Sequence, residues 1–314
     1  MKKVLFATTA LVASAGIASA QGVSLSGSAE MGIIGGSKYG DVIQFFTDVD
    51  VTFKFSGETD GGLTFGGSID LDESDGTTAP PSPAFAGTTQ GGETVFISGN
   101  FGTITMGDTD GALDWALTEA IIGGSLNDDH EHAGYNGNSR GDGMYDGQIA
   151  RYNYSFGDFA FAASVELDDT GVGDPVFGIG GKYSASLGGV DLGIGLGFQD
   201  YASDDMWGIS VDAKFAGGFQ VIVNYSDLGD SDGGGVDETH VGVAVGYTMD
   251  ALTIAANWGQ FEEGASTQDG YGLVVNYDLG GGAVVQFGYG DSTCGVYAGC
   301  TAGDSFSLGV AMSF

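Results

Sequence analysis

The sequence is short of positive charge, of proline and of long hydrophobic runs, and each shortage excludes a class of protein. Only eight lysines and arginines stand against 42 aspartates and glutamates, and phosphate binding needs basic side chains, so no nucleic-acid partner is expected. No run reaches the roughly 18 apolar residues that a transmembrane helix needs. The 20 phenylalanines and 13 tyrosines are too many for a disordered acidic chain.

The first 20 residues have the pattern of an export signal. Lys2 and Lys3 precede an apolar run from Val4 to Ile17, and Ala18-Ser19-Ala20 offers a small-x-small cleavage site. The run is too short to span roughly 30 Å of hydrocarbon as a helix. We therefore expect cleavage before Gln21, which leaves six basic and 42 acidic residues and a formal charge of −36.

What the sequence has in abundance is alternation of apolar and polar residues in short runs, the pattern of antiparallel strands. The last run is the clearest, because Phe306, Leu308 and Val310 alternate with small residues. We count sixteen runs, near residues 23–33, 49–55, 63–71, 93–99, 103–107, 151–156, 159–167, 177–187, 191–199, 207–215, 219–227, 240–248, 252–260, 270–277, 283–289 and 305–314.

The connections between these runs alternate between short turns, such as Gly157-Asp158, and longer loops, such as Asp168 to Val176 and Glu262 to Gln268. This asymmetry is typical of bacterial outer-membrane barrels. A water-soluble sandwich would show the same alternation, but a closed barrel also pairs every backbone group, as hydrocarbon requires. The apolar sides of the runs end in aromatic residues that resemble an interfacial girdle: Phe156, Phe159, Phe215, Phe219, Tyr247 and Tyr277.

The sequence therefore predicts an all-β fold, a 16-stranded antiparallel transmembrane β-barrel formed by residues 21–314. Closure would pair the strand from Val23 with the strand that ends at Phe314. Residues 108–148 interrupt the alternation with a long acidic loop, and loops of this length in compact domains are usually functional. We expect this loop to fold inward and to narrow the mouth of the barrel.

Several segments resemble the general diffusion porins of photosynthetic alphaproteobacteria, the Rhodobacter type. They are residues 56–66 (SGETDGGLTFG), residues 101–108 (FGTITMGD), residues 277–282 (YDLGGG) and the terminal Phe314. The resemblance covers essentially the whole mature chain, and Met106-Gly107-Asp108 before the long loop is its most specific part. It implies a sixteen-stranded outer-membrane homotrimer in contact with lipid and lipopolysaccharide, an inward third loop, and passage of small hydrophilic solutes and ions.

The candidate pore residues follow from which side of each run is polar. The loop supplies Asp108, Asp110, Asp114, Glu119, Asp128, Asp129 and Glu131, and the wall supplies Asp48, Asp50, Lys54, Asp70, Arg151 and Lys182. In the family that the chain resembles, arginines on the wall face the acids of the loop. This chain departs from that pattern, because its second run carries Asp48 and Asp50. Because rings of carboxylates favour cations, we predict a cation-selective pore; the alternative reading of each acid is a solvated surface group.

Two further sites are predicted within loops. Asp128, Asp129 and Glu131 offer hard oxygen ligands for Ca²⁺, His130 and His132 would instead suit Zn²⁺, and a hydrated acidic loop tip is the alternative to both. Cys294 and Cys300 are the only cysteines, and export predicts a disulfide between them.

Other functions find less support. A barrel lipase would need a nucleophilic serine, a histidine and an orienting group together, and the three histidines are not placed for this. We therefore expect no enzyme and no required cofactor. A substrate-specific channel of the same architecture remains an alternative. A secreted calcium-binding β protein is a further one, but it requires tandem glycine-rich nonapeptides that are not found here.

Overall fold

Sixteen β-strands close into a barrel. The structure is a computed structural model that describes residues 21–72, 89–126, 149–168, 171–201, 204–230, 235–296 and 301–314. The strands are β1 (Gln21–Gly35), β2 (Gln44–Glu58), β3 (Thr64–Asp72), β4 (Thr89–Gly99), β5 (Gly102–Gly107), β6 (Ile149–Phe156), β7 (Phe159–Glu166), β8 (Val176–Leu187), β9 (Val190–Tyr201), β10 (Asp204–Phe215), β11 (Phe219–Gly229), β12 (Glu238–Met249), β13 (Leu252–Glu263), β14 (Ser266–Gly280), β15 (Ala283–Ser292) and β16 (Gly303–Ser313).

Every strand pairs antiparallel with its neighbours in sequence, and β1 pairs with β16 to close the sheet. At this seam Ser28 lies opposite Ser313 and Gly35 lies opposite Phe306. Gly27 and Phe314 extend the seam by exchanging backbone hydrogen bonds of 2.8 and 3.0 Å. The predicted sixteen-stranded barrel and its closure between the first and last strands are confirmed.

The two faces of the sheet differ as the alternation predicts. On β11, Val223 and Tyr225 are exposed, whereas Ile222 and Asn224 on the opposite face are buried. All six aromatic residues of the predicted girdle are exposed on the apolar face. We call the other face, which carries Asp48, Asp50, Lys54, Arg151 and Lys182, the polar face.

Pairing extends beyond the predicted runs at the end with the longer loops. The connection expected to run from Glu262 to Gln268 is shorter, because β13 continues to Glu263 and β14 starts at Ser266. Glu262 pairs with Thr267 in this extension. These residues are polar and do not alternate in hydropathy, so the pattern gave no sign of a strand even though their backbone groups form the ladder.

Two short helices lie outside the sheet, a 3-10 helix at Ser37–Tyr39 and α1 at Ala112–Ala116. Neither they nor any other helix in the described ranges is long and apolar enough to cross a membrane. Residues 1–20, where the export signal is predicted, and residues 127–148, the second half of the predicted constriction loop, lie outside the described part.

Candidate functional site

Residues 111–126, which we call the packed segment, lie against the polar face of the sheet. The segment begins with α1, and its apolar side chains Ala112, Leu113 and Ala116 are fully buried. Leu117, Ala120 and Leu126 continue the buried side. Leu117, Ala120 and Leu126 lie beyond the end of α1, in chain that is not helical, and the acids Asp114 and Glu119 keep partial exposure. The segment is therefore amphipathic, with its apolar side on the barrel wall.

The wall beneath α1 carries glycines where other strands carry side chains. We call Gly178 and Gly180 on β8, Gly195 and Gly197 on β9, and Gly208 on β10 the glycine floor. A Cβ atom at Gly180 would overlap the carbonyl oxygen of Ala112, and one at Gly195 would overlap that of Ala116. Because the floor has no side chains, the backbone of α1 lies directly on the sheet.

Polar side chains of the wall bind the backbone of the packed segment. Ser164 accepts a 2.8 Å hydrogen bond from the amide of Ala112, and Ser210 accepts one of 2.9 Å from the amide of Thr118. Three asparagines, on β11, β13 and β14, donate to the carbonyls of Thr118, Ala120 and Gly124; they are Asn224, Asn257 and Asn276. These contacts join residues far apart in sequence and span half of the barrel.

Two apolar clusters fill the remaining space between the segment and the wall. Ala120 packs with Ile222 and Ala244, and Leu126 packs with Ile34 and Phe46. The second cluster lies on β1 and β2, well away from α1. The packed segment thus runs from β7 and β8 at one end to the barrel seam at the other.

Acidic residues concentrate on the polar face of β1, β2 and β3. Glu30 is the register partner of Asp48, and Asp50 is the partner of Asp72. We call these four residues and Asp70 the acid patch. Ser28 donates a 2.9 Å hydrogen bond to Asp50, and Thr52 donates one of 2.9 Å to Asp70. These two hydroxyl groups orient the side chains of Asp50 and Asp70 on the wall.

The wall cations Arg151 and Lys182 contact the start of the packed segment. The Arg151 guanidinium lies 3.6 Å from the carboxylate of Asp110 and also donates to its backbone carbonyl. The Lys182 ammonium lies 4.4 Å from the centre of the Trp115 ring, a cation–π arrangement. Lys54 lies on β2 beside the acid patch, opposite Ser68.

The structure places the predicted residues that it describes in two groups, one on β2 and β3 and one at or beside the start of the packed segment. The predicted wall residues Asp48, Asp50, Lys54, Asp70, Arg151 and Lys182 all lie on the polar face, and Asp108, Asp110, Asp114 and Glu119 lie in or next to the packed segment.

The other predicted sites lie outside the described residues. Asp128, Asp129, His130, Glu131 and His132 fall there, so the calcium and zinc alternatives stay predictions. The described ranges contain no group of three or more candidate metal ligands. They also contain no free cysteine. Because Cys300 lies outside them, its disulfide with Cys294 also stays a prediction.

The glycine floor and the three asparagines were not predicted. A signal for the floor is present in Gly193-Ile194-Gly195-Leu196-Gly197, where every second residue lacks a side chain. A strand that presents bare backbone on one face allows another chain to approach closely. The asparagines have no comparable local pattern.

Comparison with known proteins decides the family. The model of the family described as Gram-negative porin matches residues 7–293. The chain belongs to the Gram-negative porin family. A porin from Rhodobacter capsulatus is 31% identical to this porin over 313 residues, which cover 86% of this chain and 94% of the relative.

Solved structures agree with this porin in fold. A porin refined at 1.8 Å resolution is 25% identical, with a TM-score of 0.71, and the alignment covers 93% of this chain and 100% of that one. A triple mutant of Rhodopseudomonas blastica porin, 23% identical, gives a TM-score of 0.68 with the same coverage. The fold is shared along almost the whole chain.

The family fixes the general function. This porin is an outer-membrane channel for passive diffusion; it is not an enzyme, and it needs no cofactor to conduct. Barrels of this kind alternate apolar residues towards lipid with polar residues towards the interior. The polar face of this sheet is the one that such barrels turn towards the interior.

We predict that Arg151 steadies the start of the packed segment. In Arg151→Gln the guanidinium that bonds the Asp110 carbonyl is lost, and open-channel current noise should increase. In Arg151→Lys the positive charge remains, but the planar guanidinium with its several N–H donors is lost. Current noise should therefore increase, while the reversal potential in a KCl gradient stays near that of the unmodified protein. Single-channel recording measures both quantities. Unchanged noise in both variants would show that this contact does not steady the segment.

Proposed function

We propose that this porin is a cation-selective general diffusion channel whose interior is narrowed by its third long loop, the connection between β5 and β6. The observation that carries the proposal is the acid patch on β1, β2 and β3. Its five acids, Glu30, Asp48, Asp50, Asp70 and Asp72, occupy neighbouring positions, with Lys54 beside them. The exposed side of the loop adds Asp108 and Asp110.

Chain length supports an interior path for the packed segment. From the contacts of Ala112 on β8 to those of Leu126 on β16 there are eight strand-to-strand steps. At about 4.8 Å each, these steps cover about 38 Å along the wall. The chain between the two residues, partly helical, reaches at most about 40 Å. A path over the outer surface, farther from the barrel axis, would be longer than the chain allows.

The charges of the interior are divided around the wall. The acid patch lies on β1 to β3, and the cations Arg151 and Lys182 lie on β6 and β8 against the segment. Arg151 is mostly covered, with 11% of its side chain exposed, whereas 59% of the Asp110 side chain is exposed. In this ion pair the negative partner is the more exposed one, which favours cations at this position.

Reversal potentials in planar bilayers test the proposal. Under a KCl gradient we expect the reversal potential to lie towards the potassium equilibrium potential. The preference should weaken as salt concentration rises, because the Debye length falls from about 10 Å at 0.1 M to about 3 Å at 1 M. A reversal potential on the chloride side at low salt would contradict cation selectivity.

We further infer that the mature channel is a homotrimer in outer-membrane lipid and lipopolysaccharide, without residues 1–20 and with a disulfide between Cys294 and Cys300. The resemblance to Rhodobacter-type porins supports the trimer, and the pattern from Lys2 to Ala20 supports cleavage. The mass of the purified protein measures cleavage and the disulfide, and gel migration in mild detergent before and after heating measures the oligomer.

A further inference from the structure

Side-chain amides of the wall hold the packed segment. They form hydrogen bonds with its backbone N–H and C=O groups, as the backbone of a neighbouring strand would. Asn276 accepts a 3.0 Å hydrogen bond from the Gly124 amide and donates one of 2.7 Å to the Gly124 carbonyl. Asn257 donates to the Ala120 carbonyl over 3.2 Å, and Asn224 donates to the Thr118 carbonyl over 3.1 Å. A carboxamide offers both a donor and an acceptor, so it can pair with a peptide group in this way. These three residues form what we call the asparagine clamp.

The glycine floor is the second feature of the wall that fixes the position of the packed segment. At Gly197 a Cβ atom would lie 2.8 Å from the Leu113 Cα, closer than real Cβ atoms approach backbone. At Gly193, on the same strand and the same face, the nearest atom would be 3.8 Å away, on Asp212. On β9, space is therefore tight at the floor positions Gly195 and Gly197, where α1 lies, and open at Gly193.

We propose that the glycine floor and the asparagine clamp determine the size limit of the channel, although solutes pass on the opposite side of the packed segment. The hydrogen bonds of the clamp hold the segment against the wall. Because the floor residues have no side chains, the segment lies closer to the wall, by one side-chain layer, than it could over other residues. The distance between wall and segment sets the width that remains for solutes. These are positioning residues, and the inference rests on the proposed function because it requires the segment to border the pore.

The floor is tested with Gly195→Ala, because the new methyl group would overlap the Ala116 carbonyl and must push α1 into the interior. The barrel itself should tolerate the change, since glycine is the weaker strand former. The matched control is Gly193→Ala, the same substitution on the same strand and face with open space above it. Rates of liposome swelling with a trisaccharide and with a monosaccharide give the size preference. We expect the trisaccharide-to-monosaccharide ratio to fall roughly twofold or more in Gly195→Ala, because permeation depends on pore diameter, and to stay unchanged in Gly193→Ala.

The clamp is tested with the double variant Asn257→Ala and Asn276→Ala, which removes three of its four hydrogen bonds. The matched control is Asn153→Ala, an asparagine on the polar face of β6, opposite Thr103. We expect the swelling ratio to fall in the double variant, because a segment released from the wall moves into the interior, and to stay unchanged in the control. A merely structural role would lower the amount of folded channel without changing the ratio, because the ratio does not depend on that amount.

A lower ratio in both the floor and the clamp variants supports the inference. A ratio that stays unchanged or rises in either folded variant would overturn it. Heat-dependent gel migration establishes that each variant is folded, and if Gly195→Ala fails to fold, the clamp variant alone decides. Reversal potentials are measured on the same proteins, so a chloride preference together with lower ratios in both variants would refute the proposed selectivity and leave this inference standing.

Discussion

Replacing Asp48, Asp50 and Asp70 together by asparagine should remove most of the cation preference of the channel. These residues belong to the acid patch on the wall, where Ser28 donates a hydrogen bond to Asp50 and Thr52 donates one to Asp70. Because carboxylate rings favour cations, we expect the potassium-to-chloride permeability ratio at low salt to fall about threefold or more. Asparagine keeps the size of the side chain and changes the charge alone.

The control for this experiment is Asp250→Asn. Asp250 is an exposed acid in the short turn between β12 and β13, and its φ of 52° suits asparagine as well as aspartate. This control variant removes one carboxylate that lies in a turn and not on a strand of the wall. Reversal potentials in a KCl gradient compare the two variants. If the triple variant kept the permeability ratio of the unmodified channel, the selectivity would not come from the acid patch.

Introducing lysine on the apolar face should destabilise the barrel strongly, whereas lysine on the polar face should not. Leu196 lies near the middle of β9 on the apolar face, with 57% of its side chain exposed. Since the family places this face in lipid, Leu196→Lys should cost about 2 to 4 kcal/mol of unfolding free energy at the bilayer midplane. Ser184→Lys introduces the same side chain at an exposed position of the polar face on β8 and should cost much less.

Denaturant unfolding in lipid vesicles measures this difference. Equal costs for the two lysines would mean that the faces are assigned wrongly. The comparison is direct because the two variants gain the same charge and the same chain length on adjacent strands. It also separates a membrane barrel from a water-soluble one, in which exposed lysines on either face would be tolerated.

The sequence was sufficient to predict the strands and their order. In β16, for example, Phe306, Leu308 and Val310 share the apolar face. This period of two is required of a strand that has one face towards lipid and the other towards water. Prediction was weaker at strand ends. Ser266 to Gln268 pair as a strand without any apolar alternation, because outside the membrane the backbone ladder needs no particular side chains.

The site could be predicted only in part. The charged residues of the polar face could be named because the alternation shows which side of each strand is polar, and their role in the pore stays a prediction. The asparagine clamp was missed because Asn276 and Gly124 are separated by 152 positions, and only the closed barrel brings them together. Helix α1 was missed because five residues are too few to establish a helical period.

The seam between β1 and β16 sets the order in which the channel is completed. A chain that lacks its last strand has two unpaired edges, and hydrocarbon does not tolerate open backbone groups, so insertion must await the final residues. The packed segment comes early in the sequence, yet its supports lie on strands from β7 to β16 and β1. The packed segment therefore gains its full set of supports only as the barrel closes, and a barrel arrested before closure would have neither a sealed wall nor a fully supported segment.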